Sequence, residues 1–303
     1  MRPHVELVAN EDLMWHVAEL PKSEGKVKQR NLSYDEENGA ASTLIHFETA
    51  WSRPAGYHEA DTEWYILKGQ VKMGKELFGP HTYFRAPAGL QIAELEVAEG
   101  TEVLLFREYG DFGFSVSDKD WSKEVAVGGN TVQTVKGELT KASVKGTQWL
   151  PNIYEGDSQR FLHVKPLFHD PSPADDHTKG FISLLAYAPP SWQDHKVAHH
   201  PVFEEAYCIS GAMTYNFGRI DPGTYFFRPA LVKHGMFHSH EPTGALWFFR
   251  LDGDLINYVT EYPEVEVHGK PINYDPNDPA QRPVLAGLPV RSRSTGAWDG
   301  QGR

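Results

Sequence analysis

Apolar positions along the chain come in short bursts, and long stretches with helical spacing are scarce. Runs such as STLIHFETA, TEVLLFREYG, GFISLLAYA and GALWFFRLDG are rich in aromatic and branched residues and are bounded by Gly, Pro or Asp. Such runs read as strands. The pattern also repeats. YHEADTEWYILKG ends at Gly69 and HHPVFEEAYCISG ends at Gly211, and His58 and His200, Glu63 and Glu205, and Gly69 and Gly211 are each separated by 142 residues (200 − 58, 205 − 63, 211 − 69). The same offset relates GPHTYFRAPAGLQI to DPGTYFFRPALVKH, where Thr82 meets Thr224, Tyr83 meets Tyr225 and Pro87 meets Pro229. LLFREYGD and WFFRLDGD follow at 143 (254 − 111). One offset kept over so many positions predicts a duplicated all-β domain.

The expected division is a first domain over residues 1–150, a second over 151–262 and an extended tail over 263–303, where closely spaced Pro and Gly forbid a regular element. Length and charge limit the partners. A chain of 303 residues has room for two cores, and a net charge of −12 argues against nucleic acid or an anionic membrane surface. A small-molecule substrate is the expected partner. The single cysteine, Cys208, has no partner for an internal disulfide and reads as a small buried strand residue. No apolar run is long enough to span a bilayer, and the opening residues lack the apolar block of a signal peptide, so a cytoplasmic location is expected.

The second copy carries the candidate chemistry. Ligands of one metal ion must bring donor atoms within roughly 3 to 4 Å of each other. His200 and Glu204 would stand about 13 Å apart on a straight strand, so the chain must bend between them, and Pro201 sits where the bend is needed. After the turns at Gly211 and at Asp221 to Gly223, the returning strand can bring His234 beside Glu204. If that strand stays extended, Met236, His238 and His240 share the face of His234. Applied backwards, the offset places Thr62 at the position of Glu204 and Ile92 at that of His234. The first copy is therefore expected to keep its barrel without a metal, leaving His58 and Glu63 as ordinary polar residues or dimer contacts.

EEAYCISG together with GTYFFRPALVKHGMF resembles the two sequence motifs of the cupin superfamily, most closely the cupins of the ChrR and acetylacetone-dioxygenase type, over both repeats. That resemblance implies two tandem jelly-roll barrels with an extended C-terminal arm, the first degenerate and the second holding one divalent metal, Fe(II) in preference to Mn, Ni or Zn. The implied ligands are His200, Glu204 and His234. The pattern's first histidine falls on Ala198, so His199 or His195 is the candidate fourth donor, and Glu205 remains the rival of Glu204. The implied activity is that of a dioxygenase cleaving a carbon–carbon bond in a dicarbonyl or hydroxylated aromatic compound. The alternatives are a metal-bound binding or sensor protein and a metal-dependent isomerase or lyase. Tyr207, Phe226, Met236, Phe237 and Trp247 are the candidate walls of the substrate site, and His238 and Lys233 the candidates to orient a substrate oxygen. A homodimer is also expected.

Overall fold

The computed structural model describes residues 2–108, 113–117, 140–143, 149–151, 162–170 and 180–260. The expected tail over 263–303 lies outside them. Strands dominate, and the one helical element among the described residues is a 3-10 turn at Asn10–Asp12. None of the described residues forms a helix long and apolar enough to cross a membrane.

Two compact units divide the chain: Met1–Arg2 with Met14–Gln148, and Pro3–Leu13 with the chain from Trp149 onward. Each is built on a seven-stranded antiparallel sheet. In the first unit the order is Thr140–Ser143, Thr82–Ala86, Thr62–Lys68, Glu102–Arg107, Ala41–Phe47, Val27–Tyr34 and His16–Ala18. In the second it is Val5–Ala9, Thr224–Arg228, Glu204–Gly211, Ala245–Leu251, Phe181–Ala188, His163–Asp170 and Leu150–Pro151. The offset read from the sequence holds in the strands themselves, since 62 + 142 = 204 and 82 + 142 = 224 give the starts of two strands. Pairing keeps it as well, with Tyr83 opposite Tyr65 and Tyr225 opposite Tyr207.

Gly69 and Gly211 end equivalent strands with φ of +84° and +76°, a left-handed conformation that a side chain resists. At Gly211 a Cβ would also stand 1.9 Å from the Gly244 carbonyl oxygen. The glycine common to both repeats thus answers one backbone requirement.

The outermost strand of each large sheet comes from an unexpected part of the sequence. Val5–Ala9, which precedes the first copy, pairs with Thr224–Arg228 of the second, while Thr140–Ser143, which precedes the second, pairs with Thr82–Ala86 of the first. Ala9 opposite Thr224 corresponds to Ser143 opposite Thr82, so the two units have exchanged equivalent leading strands. Facing the large sheet, the second unit has a five-stranded sheet ordered Gly218–Ile220, Met213–Tyr215, His234–Ser239, Gln193–His199 and Tyr258–Thr260. The first unit is packed inside by Phe47, Trp51, Trp64 and Phe84. The second instead leaves a cavity between its sheets.

Candidate metal centre

Strand Gln193–His199 ends just before His200, residues Pro201 and Val202 form a bend, and strand Glu204–Gly211 starts at Glu204. The Leu231 amide donates to the His200 carbonyl (2.8 Å) and the Phe203 amide to Asp252 Oδ1 (2.7 Å), which ties both sides of the bend. His234 opens the strand that returns beside them. All three side chains are buried, and their donor atoms lie within 4.8 Å of one another. No other group of three such donors is present among the described residues.

His200 Nε2 lies 3.2 Å from His234 Nε2, which in turn lies 3.0 Å from Glu204 Oε2. The opposite ring nitrogens face backbone carbonyls: His200 Nδ1 is 3.3 Å from the Ile256 oxygen and His234 Nδ1 is 3.0 Å from the Val232 oxygen. A carbonyl only accepts, so each Nδ1 carries the proton in the neutral ring and each Nε2 presents a lone pair to the other and to the carboxylate. Three acceptors converge within 4.8 Å, and His234 Nε2 stands about a hydrogen-bond length from each of the other two. A cation between them removes the repulsion. Burial pushes the His200 pKa down to about 4, favouring the neutral ring. For Glu204 burial works to raise the pKa, but the neighbouring Arg228 guanidinium acts against it, and the carboxyl is held well below the usual range.

Arg228 is the main feature that sequence reasoning missed. Its Nη1 donates to Glu204 Oε2 (2.7 Å), and its Nε donates to Glu6 Oε1 (2.6 Å) and its Nη2 to Glu6 Oε2 (3.3 Å). Glu6 also accepts from the Tyr215 hydroxyl and lies 3.0 Å from His4 Nε2. The guanidinium carbon sits 3.6 Å over the Phe226 ring. This chain of charges aims the Glu204 carboxylate, the role outer residues play around metal ligands. It starts on the exchanged strand Val5–Ala9, more than two hundred residues from Arg228 in sequence. Local spacing gives no signal for it, although Arg228 aligns with Ala86 in the first copy (228 − 142 = 86) and so differs between repeats in the same way as the donors do.

Glu205 points the other way. It accepts from the Tyr225 hydroxyl (2.8 Å) and Arg250 Nη1 (2.5 Å), and its first-copy counterpart Glu63 accepts from the Tyr83 hydroxyl (2.7 Å). The carboxylate shared by both repeats is therefore a sheet-packing residue, and Glu204 is the one beside the two histidines. Cys208 is fully buried on the cavity side of the same strand, and burial raises its thiol pKa to about 12.

The donors sit in the wall of a cavity of about 180 Å³ lined by both sheets. Asp194, Lys196, Ala198 and His200 line it in alternation, so His195 and His199 project from the other face of that strand. His199 stacks on Tyr258, with ring centroids 5.4 Å apart, and is not brought to the three donors; Ala198, the cavity-facing residue, stands opposite His234. Of the candidate wall residues, Phe226, Phe237 and Trp247 line the cavity, together with Phe249 and Trp192.

Met236 and Tyr207 do not. Gly235 (φ +154°) and Met236 (φ +59°) break the extended strand just after His234, and the pairing with Gln193–His199 shifts register there. A Cβ on Gly235 would lie 2.0 Å from the Lys196 carbonyl oxygen, so the strands touch at this point and the alternation restarts one residue later. Phe237 consequently faces the cavity, and His238 is exposed and stacks on His240. Lys233 is likewise outside the lining. Tyr207 lies one residue out of phase with Ala206 and Cys208, and its hydroxyl accepts from Asn10 Nδ2 (2.5 Å).

Two tandem antiparallel β units, one with two histidines and a carboxylate converging beside a cavity, give the chain a bicupin-like jelly-roll fold. Residues 6–258 match the family described as Domain of unknown function (DUF4437), and the chain belongs to that family. No curated protein matches it. Among solved structures, a Nostoc punctiforme PCC 73102 protein (npun_f5605) described as a "putative dioxygenase" is similar with a TM-score of 0.65 and 17% identity over 86% of this chain and 88% of that one. Ylba of E. coli (DUF861) gives 0.52 and 15%, over 81% and 89%. A tryptophan-to-phenylalanine variant of B. subtilis oxalate decarboxylase gives 0.51 and 14%, over 84% and 78%. These likenesses concern the fold.

Proposed function

We propose that the second unit binds one divalent metal ion through His200, Glu204 and His234 and acts as a dioxygenase on a small dicarbonyl or hydroxylated aromatic compound. The observation that carries the proposal is the meeting of three buried lone pairs, two of them from imidazoles whose Nδ1 protons are already committed to carbonyls. Around an ion with bonds of about 2.1 Å, donors at right angles stand about 3.0 Å apart and tetrahedral donors about 3.4 Å. The spacings of 3.0 and 3.2 Å to His234 match donors at right angles, and the third pair lies within 4.8 Å, so two histidines and one carboxylate can share an ion. A redox-active ion held there supplies Lewis acidity and one-electron chemistry, with coordination positions left for substrate and dioxygen. Iron fits this use best, in line with the resemblance to the acetylacetone-dioxygenase type and with the description of the Nostoc protein.

The remaining work falls to the protein. Arg228 fixes the Glu204 carboxylate, and the Ile256 and Val232 carbonyls fix the two rings. Phe226, Phe237, Trp247 and Phe249 exclude water and offer flat surfaces to a planar substrate. The cavity is smaller than the usual drug-sized site, which limits the substrate to a single ring or a short chain. Trp192 Nε1, Trp247 Nε1 and Asn257 Oδ1, all in lining residues, have no hydrogen-bond partner among the described residues, which suits a molecule with oxygen functions better than a hydrocarbon.

Elemental analysis of untagged protein tests the reading. Wild type should carry about one transition metal per chain and His234→Ala almost none. Anaerobic loading with Fe(II), followed by oxygen electrode assays with dicarbonyl and dihydroxylated aromatic compounds, tests the reaction. Loaded protein that consumes no oxygen with either class would refute the dioxygenase assignment, and absence of metal uptake would refute the site.

A further inference from the structure

The first unit has its own anomaly where the second has its metal ligands. Arg53 is 2% exposed, and its one side-chain hydrogen bond among the described residues runs from Nη2 to His58 Nε2, at 2.9 Å. Among the described residues its Nε and Nη1 are buried with no partner, and no carboxylate pairs with it. Its other contacts are to rings, with the guanidinium carbon 4.0 Å from the centroid of Phe114 and 5.4 Å from that of Trp51. The other fully buried arginines among the described residues are anchored to carboxylates: Arg228 to Glu6 and Glu204, Arg250 to Glu205. Burial lowers the Arg53 pKa to about 9, which still leaves the group charged at neutral pH.

Its place in the repeat is informative. His58 is the counterpart of His200, a candidate ligand. Arg53 pairs with Leu95, and Asp194 pairs with Phe237, the counterpart of Leu95 (95 + 142 = 237). Arg53 therefore occupies the wall position that Asp194 holds beside the second unit's cavity. A guanidinium only donates, so the His58 Nε2 lone pair, whose counterpart in His200 points to the other donors, here accepts from Arg53. A fixed organic cation faces this ring where the second unit has another histidine and a carboxylate.

We propose that the first unit is a binding site for a small carboxylate, held by Arg53. A buried charge without a counter-charge is strongly unfavourable. A carboxylate would supply the charge and an acceptor for Nε or Nη1, which lie on different edges of the planar guanidinium, each edge shared with Nη2. The unpartnered nitrogens are covered and the Phe114 ring lies against the guanidinium, so binding would require that ring to move.

Thermal unfolding of the full-length, metal-loaded protein tests this, with formate, acetate, benzoate, phosphate and chloride compared at matched ionic strength. At least one carboxylate should raise the unfolding temperature of wild type in a saturable way, as a ligand of the native state must. Arg53→Met should lose that response and His234→Ala should keep it, which separates the site from the second unit's cavity. Should Arg53→Met fail to fold, Arg53→Lys serves: it keeps the charge, loses the fork, and should weaken apparent affinity at least tenfold. Phe114→Ala should strengthen it. A response unchanged in Arg53→Met or Arg53→Lys, one lost in His234→Ala, one confined to phosphate, or none with any carboxylate would overturn the proposal.

Discussion

Replacing Glu6 by Gln tests the ionic chain behind the metal centre. The carboxylate is 2% exposed and accepts from Arg228 and Tyr215. Burial works to raise its pKa, but the neighbouring charge of Arg228 prevails and brings it from 4.5 to about 2. A difference of roughly 2.5 units at about 1.36 kcal/mol each amounts to about 3 kcal/mol at neutral pH. That falls at the lower end of the roughly 3 to 5 kcal/mol seen when one partner of a buried ion pair is removed. For a unit of this size the loss corresponds to a fall of about 6 to 12 °C in the unfolding transition of the second unit.

The sign of the pH dependence follows from the lowered value. The native state holds its proton less tightly than the unfolded chain, so the stabilisation is complete above about pH 4.5 and disappears as the pH falls towards 2. Urea unfolding of wild type and Glu6→Gln, followed by tryptophan fluorescence between pH 3 and pH 7, should show two curves that converge in acid. A difference below about 1 kcal/mol at pH 7, or one that does not shrink on acidification, would refute the account. The same variant leaves Arg228 dependent on Glu204, so metal affinity should fall by about ten- to a hundredfold.

Other variants separate neighbouring residues. Glu204→Ala should abolish metal binding, whereas Glu205→Ala should keep the metal and lower stability by about 3 kcal/mol by removing the buried acceptor of Arg250 Nη1 and of the Tyr225 hydroxyl, a contrast read by elemental analysis and urea melts. Gly235→Ala should destabilise the second unit by about 2 kcal/mol or more in the same melts, because its Cβ meets the Lys196 carbonyl at 2.0 Å. In oxygen-uptake assays Phe237→Ala should raise KM at least several-fold while Met236→Ala leaves it near wild type, since only the former lines the cavity.

Much of this molecule was legible in its sequence because duplication makes one half a control for the other. The offset of 142 survives in strand boundaries and cross-strand pairs, and the loss of Glu204 and His234 at Thr62 and Ile92 marked the residues that differ in purpose. The bend at Pro201 followed from distance alone. The phase of the returning strand did not. Period-two alternation assumes regular backbone, and the left-handed conformations at Gly235 and Met236 are settled by close contact with Lys196, a tertiary effect. The Tyr207 side chain, whose strand is regular from Glu204 to Cys208, was readable by alternation once the phase of Glu204 was known. Arg228 and Glu6 stayed hidden because a buried ion pair is specified by what faces it, and here the facing strand is the exchanged one.

That exchange also bears on how the halves depend on each other's survival. A fragment starting at Trp149 would lack Glu6 opposite Arg228 and Asn10 against Tyr207, and the backbone of Thr224–Arg228 would become an open sheet edge prone to aberrant pairing. A fragment ending before Thr140 would open the matching edge at Thr82–Ala86. Deleting either copy as a block thus removes the strand that closes the other barrel. The copy without the histidine–carboxylate set is retained under the same constraint as the copy with it, and single-copy descendants of this chain would first have to reverse the trade.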